Sequence, residues 1–446
     1  MNALEVAEAA VAAARADETL AHVTRERSLL LRFAANRPTQ TTAVDDVTVE
    51  IAVLSGGRLG RALTNATDPG ALRACADRAL EAAQATGYPG FPAVRAAREH
   101  HGHDAETAEL DPATGGAALA AAFEVARRER AEAHGVWTAA EVERAVATNA
   151  GGAALDRTTD ALMKVICIAP DGRSGFATAT GAALSAIAPT ALTERAAAKA
   201  IAAGEPAELP PGDHPVVLEP RAVATLLELL GQTAFDGLAH AEGRGAFVDR
   251  IDELVAAPSI NVADSPFFRG TLPRAFDAEG TAKRPLPLIQ DGVARGVVHD
   301  VRSAALAGAR STGHALEPGG GPEGPRPRNL VMAGGGAADV EELCAPVERG
   351  VYVTRFWYEN VVRPRETLFT AVTRDGTFLI EDGRIGRPLR DLRVTDTLLG
   401  VLSRVQGLGA RQELTSEGEF YGRRDAYGVV APSLMASALR FTGATG

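Results

Sequence analysis

Residues 47–83 decide the fold, and they read VTVEIAVLSGGRLGRALTNATDPGALRACADRALEAA. The first apolar side chains of this stretch occupy every second position: Val47, Val49, Ile51 and Val53. Strict alternation is typical of a strand that buries one face. Ser55-Gly56-Gly57 follows and predicts a tight turn into a second strand at 58–64. The segment therefore predicts a half-buried hairpin.

The end of the same stretch predicts a helix that packs on this hairpin. Thr67-Asp68-Pro69 supplies an N-cap and a proline at the first helical position. Apolar residues then recur at helical spacing: Leu72, Cys75, Ala79, Leu80 and Ala83. Before the hairpin, a helix is predicted over 4–16 and a short strand over 28–34. The first part of the chain thus combines strands with helices.

A second passage of the same kind follows. Helices are predicted near 117–133 and 191–203. Strands near 135–148 and 158–169 lie between them and are joined by a tight turn. Strands that are joined by tight turns, with helices between them, favour an α+β fold over a doubly wound parallel sheet. We predict a first domain at 1–205, an α/β sandwich of hairpins and helices.

Residues 206–215 hold four prolines, a composition typical of linkers, and we place the domain boundary there. The second domain, 216–446, is predicted to be β-rich with a few helices. It begins with a strand at 216–218 and a helix at 221–230, and the later pattern is mostly that of strands. Residues 313–328 are rich in glycine and proline, which predicts a mobile loop that buries little.

The composition excludes several classes of protein. The chain has 446 residues, of which 46% are hydrophobic and 23% charged, as in a globular protein with sizeable cores. A formal net charge of −11 repels phosphate backbones and anionic membranes, so we expect neither nucleic acid nor a membrane as a partner. Three scattered cysteines offer no disulfide framework and are predicted to be buried thiols. Acidic residues interrupt the apolar pattern of residues 1–21, so we expect no signal peptide and a cytoplasmic protein.

The nine histidines supply no motif of a metal-dependent hydrolase. None is followed by glutamate, so His-Glu-x-x-His and its relatives are absent. His100, His101 and His103 could hold a divalent metal, although a solvated loop explains them more simply. His240 and His299 each lie near a carboxylate in sequence and could act as bases, but neighbours in a loop or strand usually point apart.

Five long blocks, in order along the chain, carry a family resemblance. They read GGRLGRALTN at 56–65, VVLEPRAVATLLELL at 216–230, DGVARGVVHDVRSAALAGARSTGHA at 291–315, NLVMAGGGAADVEELCAPVERGVYVT at 329–354 and GTFLIEDGRIGRPLRDLRV at 376–394. With these blocks the chain resembles the TldD/PmbA family over nearly its whole length. The segment ENVVRPRE at 359–366 departs from the glycine-rich segment of both subunit types in that family.

The resemblance implies a cytoplasmic metallopeptidase made of two kinds of subunit. A TldD-type chain carries zinc on a His-Glu-x-x-x-His helix and a late cysteine, and a PmbA-type chain, also called TldE, pairs with it. Laid on that helix, this sequence has Pro220 and Thr225 at the histidine positions and Arg221 at the glutamate position. Tyr421 falls at the position of the late cysteine. Because a catalytic zinc needs about three protein ligands, the resemblance is to the PmbA/TldE side.

The resemblance therefore implies a non-catalytic partner subunit of a TldD-type zinc peptidase that degrades or processes peptides. No cofactor is expected in this chain, and zinc is expected only in the partner. Two alternatives stay open. One is a self-associating, metal-independent hydrolase of a specialised biosynthetic pathway, and the other is a peptide-binding module without an enzyme partner. We expect the four positions that lack the zinc ligands to line a cleft, and we call them the degenerate positions: Pro220, Arg221, Thr225 and Tyr421. Further cleft residues are expected at Glu228, His240 and His314.

We expect a dimer, formed with a TldD-type chain or with a second copy, through an exposed apolar face of the second domain. The strongest candidates for this face are apolar or aromatic: Tyr352, Phe356, Trp357, Tyr358, Leu368 and Phe369. For the neighbouring Trp357 and Tyr358, core packing competes evenly with an interface or cleft wall.

Overall fold

The computed structural model describes residues 1–321, 323–418 and 424–444 and confirms the predicted α+β class. An N-terminal antiparallel sheet carries helices, and a larger mixed sheet with a few helices follows it. Within those described ranges, no helix is long and apolar enough to cross a membrane. The three cysteines are free thiols buried in the protein, as predicted.

The N-terminal sheet is dominated by long strands. These are β1 (Glu18–Ala34), β2 (Arg37–Ser55), β3 (Arg58–Thr64), β4 (Ala85–Thr86), β5 (Glu132–Thr148), β6 (Ala153–Ile168) and β7 (Ser174–Gly181). The helices of this half are α1 (Ala3–Ala13), α2 (Pro69–Glu81), α3 (Ala105–Ala108), α4 (Pro112–Arg128) and α5 (Pro189–Ala200), with a 3-10 turn at Leu184–Ala186. The strand order is β4-β3-β2-β1-β5-β6-β7, and neighbouring strands are antiparallel.

The hairpin that begins the quoted stretch forms as predicted. Val49, Ile51 and Val53 are buried against α1 and α2. The chain turns at residues 56–57, where φ values of 54° and 71° suit glycine, which has no Cβ to clash. The side chain of Asp68 caps α2 by accepting two backbone N–H groups of its first turn. The alternating pattern and the cap therefore predicted these two elements correctly.

Strand β1 is longer than the strand predicted at 28–34, since it begins at Glu18. Its first half is buried on both faces: Ala21 and Val23 pack with α1 and α2, whereas Leu20 packs with Phe276 of the C-terminal half. A strand buried on both faces shows no alternation of apolar and polar residues. The sequence pattern therefore did not reveal this half of the strand.

The C-terminal sheet contains shorter strands around a few long ones. These are β8 (Gly212–Leu218), β9 (Val262–Asp264), β10 (Leu286–Gln290), β11 (Val293–Ala294), β12 (Leu330–Met332), β13 (Arg349–Arg363), β14 (Leu368–Glu381), β15 (Arg384–Pro388), β16 (Leu392–Thr397), β17 (Val405–Thr415) and β18 (Val429–Ala444). The helices are α6 (Pro220–Thr233), α7 (Gly237–Ala241), α8 (Val301–Leu306), α9 (Val340–Cys344) and α10 (Leu398–Ser403).

Strand β18 closes part of this sheet into a ring, because it pairs with β8 on one side and β16 on the other. The ring continues through β14 and β13, and β13 pairs in parallel with β8. Helix α6 packs against β13 and β18, and most of its residues are buried, including Leu226, Leu227 and Leu230. The helix that carries the family's degenerate positions thus lies in the main core of the C-terminal half.

Two segments that were predicted as a linker and a mobile loop make more contacts with the rest of the protein than the sequence suggested. In the linker at 206–215, the backbone N–H of Ala207 donates to the carbonyl of Pro388 at 2.8 Å, and β8 already begins at Gly212. The boundary there stays a prediction. The expectation that 313–328 buries little is wrong, because His314 is 2% exposed and much of the described loop is buried.

The two halves meet through a layer of apolar and acidic residues. Phe276 packs on the N-terminal sheet, and the backbone N–H of Ala275 donates to Asp156 at 2.9 Å. The Tyr88 hydroxyl donates to Glu279 at 3.1 Å. Burial, reinforced by nearby carboxylates, raises the pKa of Glu279 well above its ordinary value. A buried carboxyl group whose environment favours the protonated form therefore lies at the junction.

Replacing Glu279 with Gln tests this buried acid. A pKa raised by folding gives stability that is complete below the unfolded pKa and is lost as pH rises through the folded pKa. We expect the wild-type free energy of unfolding to fall as pH rises above the ordinary carboxyl range, and that of Glu279→Gln to fall less, by a difference on the order of 1 kcal/mol. Thermal denaturation at several pH values measures both. Glu205→Gln, at an exposed site, should leave the profile unchanged, and equal profiles for all three proteins would contradict the assignment.

Candidate functional site

Helix α6 begins at the place where the family resemblance puts the zinc-binding helix. Glu219 is its N-cap residue, and Pro220 occupies the first helical position, where a missing N–H costs nothing. Arg221 and Thr225 follow on the buried side of the helix, at 4% and 1% exposure. The described degenerate positions therefore share one short segment, while Tyr421 lies outside the described residues.

Arg221 is held by partners on its own helix. Its Nη1 donates to Glu228 Oε1 at 3.2 Å, and its Nη2 donates to both Glu228 and Thr225, the latter at 3.0 Å. The Thr225 hydroxyl in turn donates to the Arg221 carbonyl at 3.2 Å. Residues seven positions apart lie on one face of a helix, so the sequence spacing itself brings Arg221 to Glu228. The result is a compact cluster of three side chains.

The electrostatics of this cluster keep Arg221 charged. Burial alone would lower the pKa of the Arg221 guanidinium, but attraction to Glu228 outweighs burial and raises that pKa. Glu417 and Tyr427 lie close enough to contribute to the same shift. Glu417 is itself neutralised, because Arg355 Nη1 donates to it at 2.9 Å and Lys164 lies 3.2 Å away. The site is a network of paired charges.

The residues at this site do not fit a zinc ion. Zinc needs lone pairs from nitrogen, sulfur or oxygen, and it usually takes three protein ligands in a catalytic site. Pro220 has no side-chain donor, the Arg221 guanidinium is a fixed cation, and the Thr225 hydroxyl is engaged with Arg221. Over the described ranges, no group of three or more His, Cys, Asp and Glu side chains is placed to hold a metal.

The other predicted cleft residues lie in three separate places. Glu228 belongs to the α6 cluster and lines a small pocket of about 70 Å³ together with Tyr427. His314 lies in a larger cavity, with Nε2 3.1 Å from Asp264. His240 lies on α7, where burial lowers its pKa, and it lines neither of these two pockets. The structure therefore does not gather all three residues into one site.

Several residues that were predicted to form an exposed apolar face are buried, so the prediction is wrong for them. Tyr352 and Phe356 are 7% and 2% exposed, because their strand runs through the core of the C-terminal half. Phe369 is also fully buried and contacts Phe356 edge to face. Trp357 is half-buried, with the Arg355 guanidinium 4.7 Å from its ring centre. These burial values remove Tyr352, Phe356 and Phe369 from any surface interface.

Tyr358 differs from its neighbours because it is 75% exposed. Its φ of 50° lies in the left-handed region, which is uncommon for a residue with a bulky side chain. This conformation interrupts the pairing of β13 with β14, where the register shifts between Trp357 and Asn360. At this break an aromatic side chain is exposed on the β13–β14 hairpin.

One residue that sequence reasoning missed anchors the start of α6. The Glu219 carboxylate lies 2.6 Å from Lys199 Nζ of α5 and accepts hydrogen bonds from Tyr352 at 2.5 Å and Thr354 at 3.3 Å. Burial lowers the pKa of Lys199, while Glu219 opposes that shift. The sequence shows only that Glu219 precedes a proline at the start of a helix, and it does not show that Lys199 and Tyr352 are its partners. These contacts tie α6 to the N-terminal half.

Comparison with known proteins defines the class to which this arrangement belongs. Residues 211–443 match the family model described as the PmbA/TldA metallopeptidase C-terminal domain. Residues 23–83 match the model described as PmbA/TldA metallopeptidase domain 1. Since the first match covers more than half of the sequence, the chain belongs to the PmbA/TldD metallopeptidase family.

Solved structures share the fold of this chain, and a curated relative matches about half of it. TldE from Thermococcus kodakarensis has a similar structure, with a TM-score of 0.87 and 20% identity, covering 98% of this chain and 99% of that one. A Thermotoga maritima structure has a TM-score of 0.82 and 21% identity, with coverage of 95% and 96%. A Methanothermobacter thermautotrophicus protein described as a metalloprotease is 24% identical over 226 residues. That match spans 49% of this chain and only 48% of the relative, about half its length.

The Arg221–Glu228 pair leads to a prediction about stability. Replacing Arg221 with Met leaves Glu228 without its cation, so we expect the free energy of unfolding to fall by about 2–4 kcal/mol. The double variant Arg221→Met with Glu228→Gln should recover most of this loss. Chemical denaturation measures both. In the matched control, Arg244→Met breaks an exposed pair with Glu242 and should cost under about 1 kcal/mol. Equal losses at both arginines would contradict the account.

Proposed function

We propose that this chain is a non-catalytic partner subunit of a TldD-type zinc peptidase that degrades or processes peptides. The observation that carries the proposal is the Arg221–Glu228 pair, which occupies the helix where a zinc-bearing chain would have its His-Glu-x-x-x-His ligands. A guanidinium at this position opposes a divalent cation by charge as well as by its lack of lone pairs. Catalytic chemistry is therefore assigned to the partner.

The similarity to TldE from Thermococcus kodakarensis supports the same assignment at the level of the fold. The ion pair between Glu219 and Lys199 anchors the start of α6, even though the residues on this helix fit no metal. A scaffold that is retained without metal ligands suits a structural part, such as closing a cavity around a partner's active site and shaping access for a peptide. We expect the pair of subunits to act in the cytoplasm.

Co-expression with a TldD-type chain from the same genome tests the proposal. We expect this chain alone to leave peptides uncleaved, the purified pair to cleave them, and a zinc chelator to abolish that cleavage. Turnover of a fluorogenic peptide measures all three. The TldD-type chain alone is the matched control and should be less active than the pair. Cleavage by this chain alone in the presence of chelator would instead favour the metal-independent hydrolase.

Tyr358 is our proposed anchor for subunit pairing. Exposed aromatic residues often dominate interface energetics, so we expect Tyr358→Ala to weaken pairing by about 2 kcal/mol, or roughly 30-fold. The melting temperature of the isolated chain should not change, because the side chain is already exposed. Analytical ultracentrifugation measures pairing with the TldD-type chain or with a second copy. Leu254→Ala, at a 63% exposed site elsewhere, is the control, and undiminished pairing of Tyr358→Ala would place the interface elsewhere.

A further inference from the structure

A cavity of about 290 Å³ lies between the two halves of the protein. Strands β1 and β5 form one wall, and loops of the C-terminal half form the other. The lining is dominated by cationic side chains: Arg144, Arg274, Lys283, Arg326, Arg328 and Arg424. Asp277 and Asp425 are the carboxylates among the lining residues. Pockets at domain junctions with a few convergent polar groups are common ligand sites.

Several of these cations are neutralised by carboxylates next to them. Arg424 forms an ion pair with Asp160. Lys283 Nζ lies 3.2 Å from Asp264, a fully buried carboxylate that also contacts His314. These pairs need no ligand for electrical balance.

A cluster of three guanidinium groups is less well balanced. Arg274 and Arg328 share a single carboxylate, Asp425, at 2.5 and 2.7 Å. The combined attraction of Arg274, Arg328 and Arg144 lowers the pKa of Asp425, although burial alone would raise it. Asp425 therefore stays ionised, and Arg274 and Arg328 share it as their ion-pair partner.

Arg144 is the side chain that lacks a carboxylate of its own. Its Nη1 donates to the Thr158 hydroxyl at 3.1 Å, and no described carboxylate lies within ion-pair distance of it. Burial, together with the nearby Arg274, lowers the pKa of Arg144 to about 10. The guanidinium is therefore still protonated at neutral pH. Asp425, Asp156 and Asp160 attract this guanidinium from beyond ion-pair distance, and their attraction opposes the effect of burial. Because these carboxylates are already engaged with Arg274 and Arg328, with His100 and with Arg424, Arg144 has N–H donors that can turn to a ligand in the cavity.

We propose that this cavity binds a carboxylate group, held by Arg144 with Arg274 and Arg328. Guanidinium groups present two parallel N–H donors that match the two oxygens of a carboxylate. A monoanion suits the site better than a phosphate dianion, because Asp277 and Asp425 also line the cavity and would repel the second charge. The carboxylate could belong to the C-terminus of a short peptide or to a small organic acid.

The inference stands apart from the subunit function, because it rests on the charge of this chain alone. His314, predicted from the sequence as a cleft residue, lines the same cavity. Arg326 and Arg328 line both this cavity and the small pocket beside Glu228. A ligand held by Arg144 would therefore lie next to the α6 cluster rather than in it.

Titration calorimetry on the purified full-length chain tests the proposal with four probes: tri-alanine, tri-alanine amide, acetate and inorganic phosphate. We expect tri-alanine to bind at least about tenfold more tightly than its amide, as a charge-assisted contact implies. Acetate as tight as tri-alanine would also support a carboxylate site and would assign it to small organic acids. Equal binding of tri-alanine and its amide, tighter binding of phosphate, or no binding of any probe would overturn the proposal.

Variants locate the site on the cavity. Arg144→Gln should weaken binding of the carboxylate probe about tenfold, while Arg58→Gln, at the exposed start of β3 and outside the cavity, should leave it unchanged. The melting temperature of Arg144→Gln reports its folding. Should that variant not fold, Arg328→Gln provides the second test, since Asp425 keeps Arg274 as its partner. Full binding by a folded variant would refute the assignment.

Discussion

The ion pair between Arg221 and Glu228 is the constraint on which the interpretation of this protein depends. It lies on α6, a helix buried in the main core of the C-terminal half, so its side chains are largely shielded from water. A buried charge must be compensated where it lies, and each partner here compensates the other. The Arg221 guanidinium occupies the helix face where a metal ion would lie, and it neutralises the Glu228 carboxylate. A scaffold shared with metallopeptidases thus presents a neutral, hydrogen-bonded surface at this helix.

The pair acts together with the contacts that hold α6 in place. Glu219 joins the start of the helix to Lys199 of the N-terminal half and to Tyr352 of the neighbouring strand. The charge network continues through Glu417 and Arg355. Beyond it lies the cavity lined by cationic side chains, where Arg144 forms no ion pair with a described carboxylate. The charges of the α6 cluster are therefore paired within the protein, whereas Arg144 in the cavity can receive an anionic ligand.

Local patterns predicted the fold where one face of an element meets solvent. The alternation from Val47 to Val53 and the Asp68 cap gave the hairpin and α2 correctly. The same reasoning missed the first half of β1, because both of its faces are covered. It also misplaced Tyr352 and Phe356, since an apolar run does not distinguish a core strand from a surface. For the site, the seven-residue spacing of Arg221 and Glu228 was readable. Arg144 and Arg328 were not, because only the docking of the two halves brings them together.

The most direct test of the central claim is the zinc content of the chain purified alone, measured by mass spectrometry after dialysis against zinc and removal of the free ion. The account predicts well under one zinc per chain, because Pro220, Arg221 and Thr225 offer no ligand set, and it predicts no change in Arg221→Met with Glu228→Gln. About one tightly held zinc per chain, lost when residues of α6 are replaced, would contradict it.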